Sequence, residues 1–265
     1  MTPERETHLR HLYASLQDLT DGQIGWIETV VEQFHKPASF QYSPDSNLIN
    51  ACVLQDFWGA LRIHHCFSKE AFTKDKFEYA FERVLNLCEI PAILAPRGNP
   101  GYDITISGTR FSLKTQANKE ISSRYLHISK FMKLGRGTWT DQEEDFIGLR
   151  EQFFRQLESY DRILSLRRLR GTRTYPWYYA LVEIPKSLLL EAGNGMLRIM
   201  HQSRQFPKPA YYDVTDSMGG SKFQLYFDAG GERKLQIKGL KKASCIVHAE
   251  WRFETSLSTN DSLLP

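Results

Sequence analysis

Apolar residues between positions 74 and 88 recur at three- and four-residue spacing, as Phe77, Ala80, Phe81, Val84, Leu85 and Cys88. That spacing sets them along one face of a helix. Glu78 and Glu82 flank the stripe, and at about 100° per residue Glu78 falls beside Leu85 at its edge. Beyond residue 101 the period changes to two. Ile104 and Ile106 share one parity and Asp103 and Thr105 the other; Phe111 and Leu113 then alternate with Ser112, Lys114 and Gln116. Two alternating arms joined by Ser107-Gly108-Thr109 read as a hairpin. A run of turn formers, Arg97-Gly98-Asn99-Pro100-Gly101, leads into it.

The same reading extends along the chain. Residues 5–35 carry a helical stripe through Leu9, Leu12, Tyr13, Leu16 and Leu19, broken at Thr20-Asp21-Gly22 before Ile24 to Phe34. Residues 36–47, with Pro37, Ser43 and Pro44, read as a loop, and residues 47–67 as a helix through Ile49, Val53, Phe57 and Leu61. The longest helical pattern covers residues 139–170, through Phe146, Leu149, Phe153, Leu157 and Ile163-Leu164. Residues 177–184 form a continuous apolar run ended by Pro185, as in a central strand buried on both faces. A short helix is expected at 186–191, and strands at 223–227, 234–237 and 244–253. No internal repeat is visible. The sum is an α/β chain with a mixed β-sheet flanked by helices. It divides into an N-terminal helical region (1–70), a core with recognition loops (71–255) and a loose polar tail (256–265).

Composition narrows the classes. The chain has 265 residues, 41% hydrophobic and 12% aromatic, enough for a substantial core. A net charge of +3 is only mildly basic, which argues against a protein that coats DNA without preference. Cys52, Cys66, Cys88 and Cys245 show no paired spacing and read as reduced, mostly buried thiols of a cytoplasmic protein. His64-His65-Cys66 matches no zinc pattern and reads as packing. No signal-like or membrane-spanning apolar run is present.

The chemistry lies in the hairpin. It brings Asp103 and Lys114 side by side, and Ser112, Lys114 and Gln116 share a face. A carboxylate that holds a divalent ion against a phosphate, next to an amine that orients or deprotonates water, is the equipment of metal-dependent phosphodiester cleavage. The plain alternative is a surface hairpin with a solvated lysine.

Helix acid, turn, Asp, hairpin and Lys, in this order over roughly residues 72–120, resemble the PD-(D/E)xK nuclease superfamily and, within it, the type II restriction endonucleases. The resemblance implies a restriction-endonuclease-like core, Mg2+ as cofactor, double-stranded DNA as partner and a homodimer. It makes Asp103 the first metal-binding Asp, Lys114 the motif lysine, and Glu78 or Glu82 the helix acid. The implied metal site is Asp103, Glu78 and Leu113, with Gln116 assisting metal or water. Two positions depart from the pattern: Tyr102 stands where Pro is usual, and Ser112 where most members carry an acid. Some members with Ser there take the carboxylate from a helix, which makes a helix glutamate necessary; Glu120, Glu143 and Glu144 are further options. Ser112 is placed among the DNA-facing residues.

Four basic clusters lie downstream of the hairpin. Lys119, Arg124, Lys130, Lys133 and Arg136 are interleaved with Tyr125, His127 and Ser129 and read as loops that hold phosphates. Arg167, Arg168, Arg170 and Arg173 read as a helix end. Residues 201–205 carry Gln202, Arg204 and Gln205, side chains able to bond base edges in pairs. Arg233, Lys234, Lys238, Lys241 and Lys242 make the last cluster. Two function classes therefore stand: a site-specific DNA endonuclease, and a non-catalytic nucleic-acid-binding protein on the same fold. A small-molecule enzyme lacks a phosphate-binding glycine pattern or nucleophile constellation.

Overall fold

The computed structural model describes residues 2–117, 121–135 and 139–255. Helices α1 (Pro3–Leu16) and α2 (Asp21–His35) meet at the expected break, where Thr20 and Gln23 satisfy each other's backbone in a capping box. Their apolar stripe faces outward: Leu9, Leu12, Tyr13, Trp26 and Val31 are exposed.

Next come β1 (Ala38–Tyr42), α3 (Ala51–Phe67), α4 (Lys74–Leu87), β2 (Ala92–Leu94), β3 (Ile104–Ile106) and β4 (Thr109–Gln116). After these follow β5 (Tyr125–Lys133), α5 (Glu143–Glu158), β6 (Arg162–Arg170), β7 (Trp177–Glu183) and α6 (Lys186–Leu190). The remainder is strand: β8 (Met196–Ile199), β9 (Ala210–Thr215), β10 (Ser221–Asp228), β11 (Lys234–Lys241) and β12 (Ile246–Phe253). They build a seven-stranded sheet ordered β1-β12-β7-β6-β4-β3-β2 and a five-stranded sheet ordered β5-β11-β10-β9-β8. The β4–β6 pair is parallel, and β5 and α5 form the crossover between its strands. The main sheet is thus mixed and flanked by helices, as the periodicities predict.

Alternation along the central strands splits the core in two. On one face Phe111, Leu113, Leu164, Leu181 and Trp251 pack with Phe57, Phe77 and Phe81 of α3 and α4. On the other, Ile163, Ala180 and Val182 pack with Phe146 and Phe153 of α5 and with Phe223, Leu225 and Ile237 of the second sheet. A sheet covered twice needs apolar residues on both parities, which explains the unbroken run in β7.

Four expectations are corrected. Residues 38–42 are a strand, not a loop, because they pair with β12 from the far end of the chain. The pattern over 139–170 is two elements: α5 ends at Glu158, and β6 pairs in parallel with β4 from Arg162 onward. Asp161 pins that changeover, its N–H donating to the Arg110 carbonyl (2.8 Å) and its carboxylate accepting from the Arg110 N–H (2.9 Å). Of the first basic cluster, Lys130 and Lys133 lie on β5 rather than on a loop. Finally, Cys52 and Cys88 are a disulfide, formed because the start of α3 lies beside the end of α4; Cys66 and Cys245 are free. His65 behaves as the packing residue expected of it. Its ring nitrogens face the Ser68 carbonyl and the Tyr179 hydroxyl, both at 2.8 Å, and burial pulls its pKa down to about 3.

Candidate active site

Ser107 and Gly108 both have positive φ, 46° and 84°, so a two-residue turn closes the β3–β4 hairpin and fixes its register at Ile104 against Phe111. Asp103 stands one residue before β3. Its N–H donates to the Phe111 carbonyl (2.8 Å), and its own carbonyl accepts from Ala95 (2.9 Å). The second arm then holds its carboxylate: Oδ2 accepts the Leu113 N–H at 2.6 Å and the Ser112 hydroxyl at 3.2 Å. Oδ1 faces the other way and meets the ammonium of Lys74 at 2.7 Å.

Lys74 opens α4, and the same ammonium lies 3.1 Å from Glu78 Oε1, one helical turn on. Two carboxylates from different elements therefore converge on one cation. Burial raises the pKa of Glu78, and Lys74 offsets part of the rise. Burial also works against the Lys74 ammonium, but Asp103 and Glu78 outweigh it and its pKa is raised. Glu82 does not take part: its Oε1 accepts the Leu94 N–H at 2.8 Å and so is spent on the end of β2. A cavity of about 550 Å³ opens over the pair, walled by α4 and the turn residues Ala95 to Asn99.

Lys114 follows Leu113 on β4. Its ammonium lies over the Phe131 ring of β5, 5.3 Å from the centroid. Burial brings its pKa down to about 8, and the Asp103 carboxylate restores only part of the loss. It borders a second cavity with Thr115, Ile128 and Ser129, and Lys74 lines both cavities. Asp103, Glu78 and Lys114 thus share one neighbourhood between α4, the hairpin and the edge strand of the second sheet.

Other expected site residues have different surroundings. The Leu113 side chain is in the core, so only its backbone reaches the site. Ser112 is buried and turned to Asp103 rather than to an outer surface. Gln116 is not free to assist a metal or water: its amide N–H donates to the His127 carbonyl and its oxygen accepts from Arg167 Nε (2.6 Å). Arg167 is itself fully buried and also donates to the Ser122 (2.7 Å) and Tyr125 (2.8 Å) carbonyls, stapling β5 to the main sheet. It holds no helix end, and burial pulls its pKa down to about 10. Glu143 and Glu144 are exposed at the start of α5. Lys119, Glu120 and Arg136 lie outside the described residues.

The remaining cations sit around the second sheet. Gln202, Arg204 and Gln205 are exposed on the turn between β8 and β9. Arg124 is exposed just before β5, and Lys130 pairs with Glu232. Lys238 lies 3.6 Å from the Tyr226 ring centroid, and Lys241 is 3.9 Å from Asp216. None of these but Lys130 borders either cavity beside Asp103. The sequence reading missed Lys74; its only local signal was the four-residue spacing to Glu78.

A mixed sheet whose β3–β4 hairpin presents an aspartate and a lysine toward a helix glutamate is a nuclease core of the restriction-endonuclease kind. A family model described as SmaI, type II site-specific deoxyribonuclease, matches residues 12–253. The type II restriction enzyme SmaI of Serratia marcescens is 43% identical over 252 residues, 94% of this chain and 97% of that enzyme. No solved structure matches the chain. The chain belongs to the SmaI family of type II site-specific deoxyribonucleases, and its activity is that of a restriction endonuclease acting on DNA.

Proposed function

We propose that Asp103 and Glu78 hold a Mg2+ ion and that Lys114 serves the attacking water in double-stranded DNA cleavage. The supporting observation is the convergence of both carboxylates on a single cation, the Lys74 ammonium. Hard oxygen donors from two elements that already surround a positive charge fit a divalent ion of the magnesium class. The Leu113 carbonyl oxygen would complete the metal side. When bound, such an ion stabilises negative charge that builds on the phosphate.

The protein's own groups do the rest. Ser112 and the Leu113 N–H hold Asp103 in one orientation, which leaves Oδ1 directed at the site. Lys114, with a pKa of about 8, is partly neutral near pH 7 and can accept the proton that the water loses as its oxygen bonds to phosphorus, while the bond to the leaving oxygen breaks and that oxygen takes a proton from solvent. Glu78 supplies the acid that the family pattern puts at the Ser112 position. Gln202, Arg204 and Gln205 read base edges, whereas Arg124, Lys130, Lys238 and Lys241, together with Lys119 and Arg136, hold phosphates. A cytoplasmic homodimer reads a two-fold site. No helix among the described residues is long and apolar enough to cross a membrane.

The test is plasmid cleavage with Mg2+ beside DNA binding with Ca2+. Asp103→Ala and Lys114→Ala are each expected to abolish cutting while binding persists. Full cutting by either variant would remove the catalytic assignment from this hairpin.

A further inference from the structure

The family pattern accounts for Asp103, Glu78 and Lys114 but gives no task to Lys74. Its position is chemically unusual. The first turn of a helix is electropositive and disfavours a cation. Lys74 is nevertheless the first residue of α4, with its ammonium drawn in between two carboxylates at 2.7 and 3.1 Å. An ordinary lysine–glutamate pair one turn apart would need only Glu78. Here the shorter contact is to Asp103, on another element.

Asp103 Oδ2 is filled by the Leu113 N–H and the Ser112 hydroxyl, so Oδ1 is the oxygen directed away from the hairpin, and Lys74 takes it. A divalent ion held by Asp103 and Glu78 would approach Oδ1 at roughly 2.0–2.6 Å, and its charge repels an ammonium 2.7 Å from the same oxygen. From this geometry we propose that Lys74 is an internal counter-cation: it neutralises Asp103 and Glu78 in the ion-free protein and competes with the divalent ion for them. The proposal rests on the assignment of Asp103 and Glu78 as the metal carboxylates. The ammonium has somewhere to go. The Lys74 side chain is 41% exposed and borders both cavities, so a flexible stem can swing the charge out without disturbing α4.

The experiment is calorimetric titration of Ca2+ into the full chain without DNA, followed by thermal unfolding with and without Ca2+. Lys74→Met keeps the stem and removes the charge; Lys74→Gln serves if the methionine variant does not fold. Either is expected to bind one Ca2+ about tenfold or more tightly than the unaltered protein, since a like charge has left the site. Lys74→Arg keeps the charge and should remain as weak a binder as the parent. Without ion the neutral variant should melt lower than the parent, because two carboxylates then face each other, and Ca2+ should raise its Tm by more. Asp103→Asn in the Lys74→Met background separates the two ideas. Binding lost there, with no gain in Lys74→Met alone, overturns the counter-cation and spares the metal site. Binding that persists in the double variant overturns both.

Discussion

The two sheets treat polar side chains in opposite ways. In the main sheet, covered on both faces, Ser112, Gln116, Arg167, Glu183 and His248 are buried, and each is bonded to other protein groups. In the second sheet only one face is covered. Phe223, Leu225 and Phe227 point inward, while Lys222, Gln224, Tyr226 and Asp228 alternate outward, half-exposed. Their contacts are stacks and short pairs, such as Tyr211 on Tyr226 at 4.6 Å between centroids, and Arg198 with Asp213 at 2.8 Å. A buried polar group without a partner is expensive, so the first environment fixes orientation. The second leaves its polar side chains half-exposed, where water can replace a lost partner. Fixed carboxylates suit chemistry that needs near-ångström placement; adjustable cations and amides suit contact with a large, variable partner.

That contrast can be broken by experiment. The largest expected effect is on catalysis: Glu78→Gln should slow cleavage by on the order of a thousandfold, the several kcal/mol of a lost charge-stabilising site. Glu82→Gln, whose carboxylate serves Leu94, should lose far less. Equal losses would mean that the helix acids are interchangeable and that the site is not rigidly built. Next in size is stability. Arg167→Leu strands the buried Gln116 oxygen and removes a donor from the part-buried Ser122 and Tyr125 carbonyls, and should cost about 3 kcal/mol in denaturant unfolding. Lys238→Ala on the open face, which loses a cation–π contact, should cost about 1 kcal/mol or less.

Specificity offers a third comparison. Arg204→Ala should weaken cognate binding by ~1–3 kcal/mol and leave random DNA nearly untouched, whereas Lys241→Ala should weaken both alike. Competition binding at two salt concentrations would reveal it. Equal losses on both DNAs for Arg204→Ala would move base reading elsewhere. The last effect is a slope. Lys114 must be neutral to accept a proton and its pKa is about 8, so single-turnover cleavage should climb by about tenfold per pH unit below 8 and level off above it. A flat profile from pH 6 to 9 in single-turnover conditions would contradict Lys114 as the base.

Much of this was legible because it was local. The period-two arms and Ser107-Gly108 contain all the information for the hairpin, and the Phe77–Phe81–Val84–Leu85 spacing that for α4. What failed was non-local. β1 is a strand because β12 lies beside it, and nothing in Ala38–Tyr42 names that partner. Ile163-Leu164 continues the apolar spacing of α5, so only its pairing with β4 reveals the change of element. In β5, Leu126 and Ile128 alternate with Tyr125, His127 and Ser129, a strand signal present in the sequence beside the basic residues. Gln116 shared a face with Lys114 as expected, but a buried arginine from β6 claimed it. Cys52 and Cys88 lie 36 residues apart and meet only because α3 and α4 are neighbours.

The place of β12 in the main sheet also bears on biosynthesis. The last described strand to leave the ribosome is inserted between β1, among the first, and β7. Until then β1 has no partner, one edge of β7 is bare, and the pocket filled by Trp251, whose indole donates to the Leu54 carbonyl at 2.8 Å, stays empty. The hairpin and α4 emerge well before this closure. A chain interrupted short of residue 246 would carry every acid and lysine of the site on an open, adhesive sheet, a form prone to aggregate. For an enzyme that cuts DNA, such an order of synthesis makes closure of the fold wait for its last described strand.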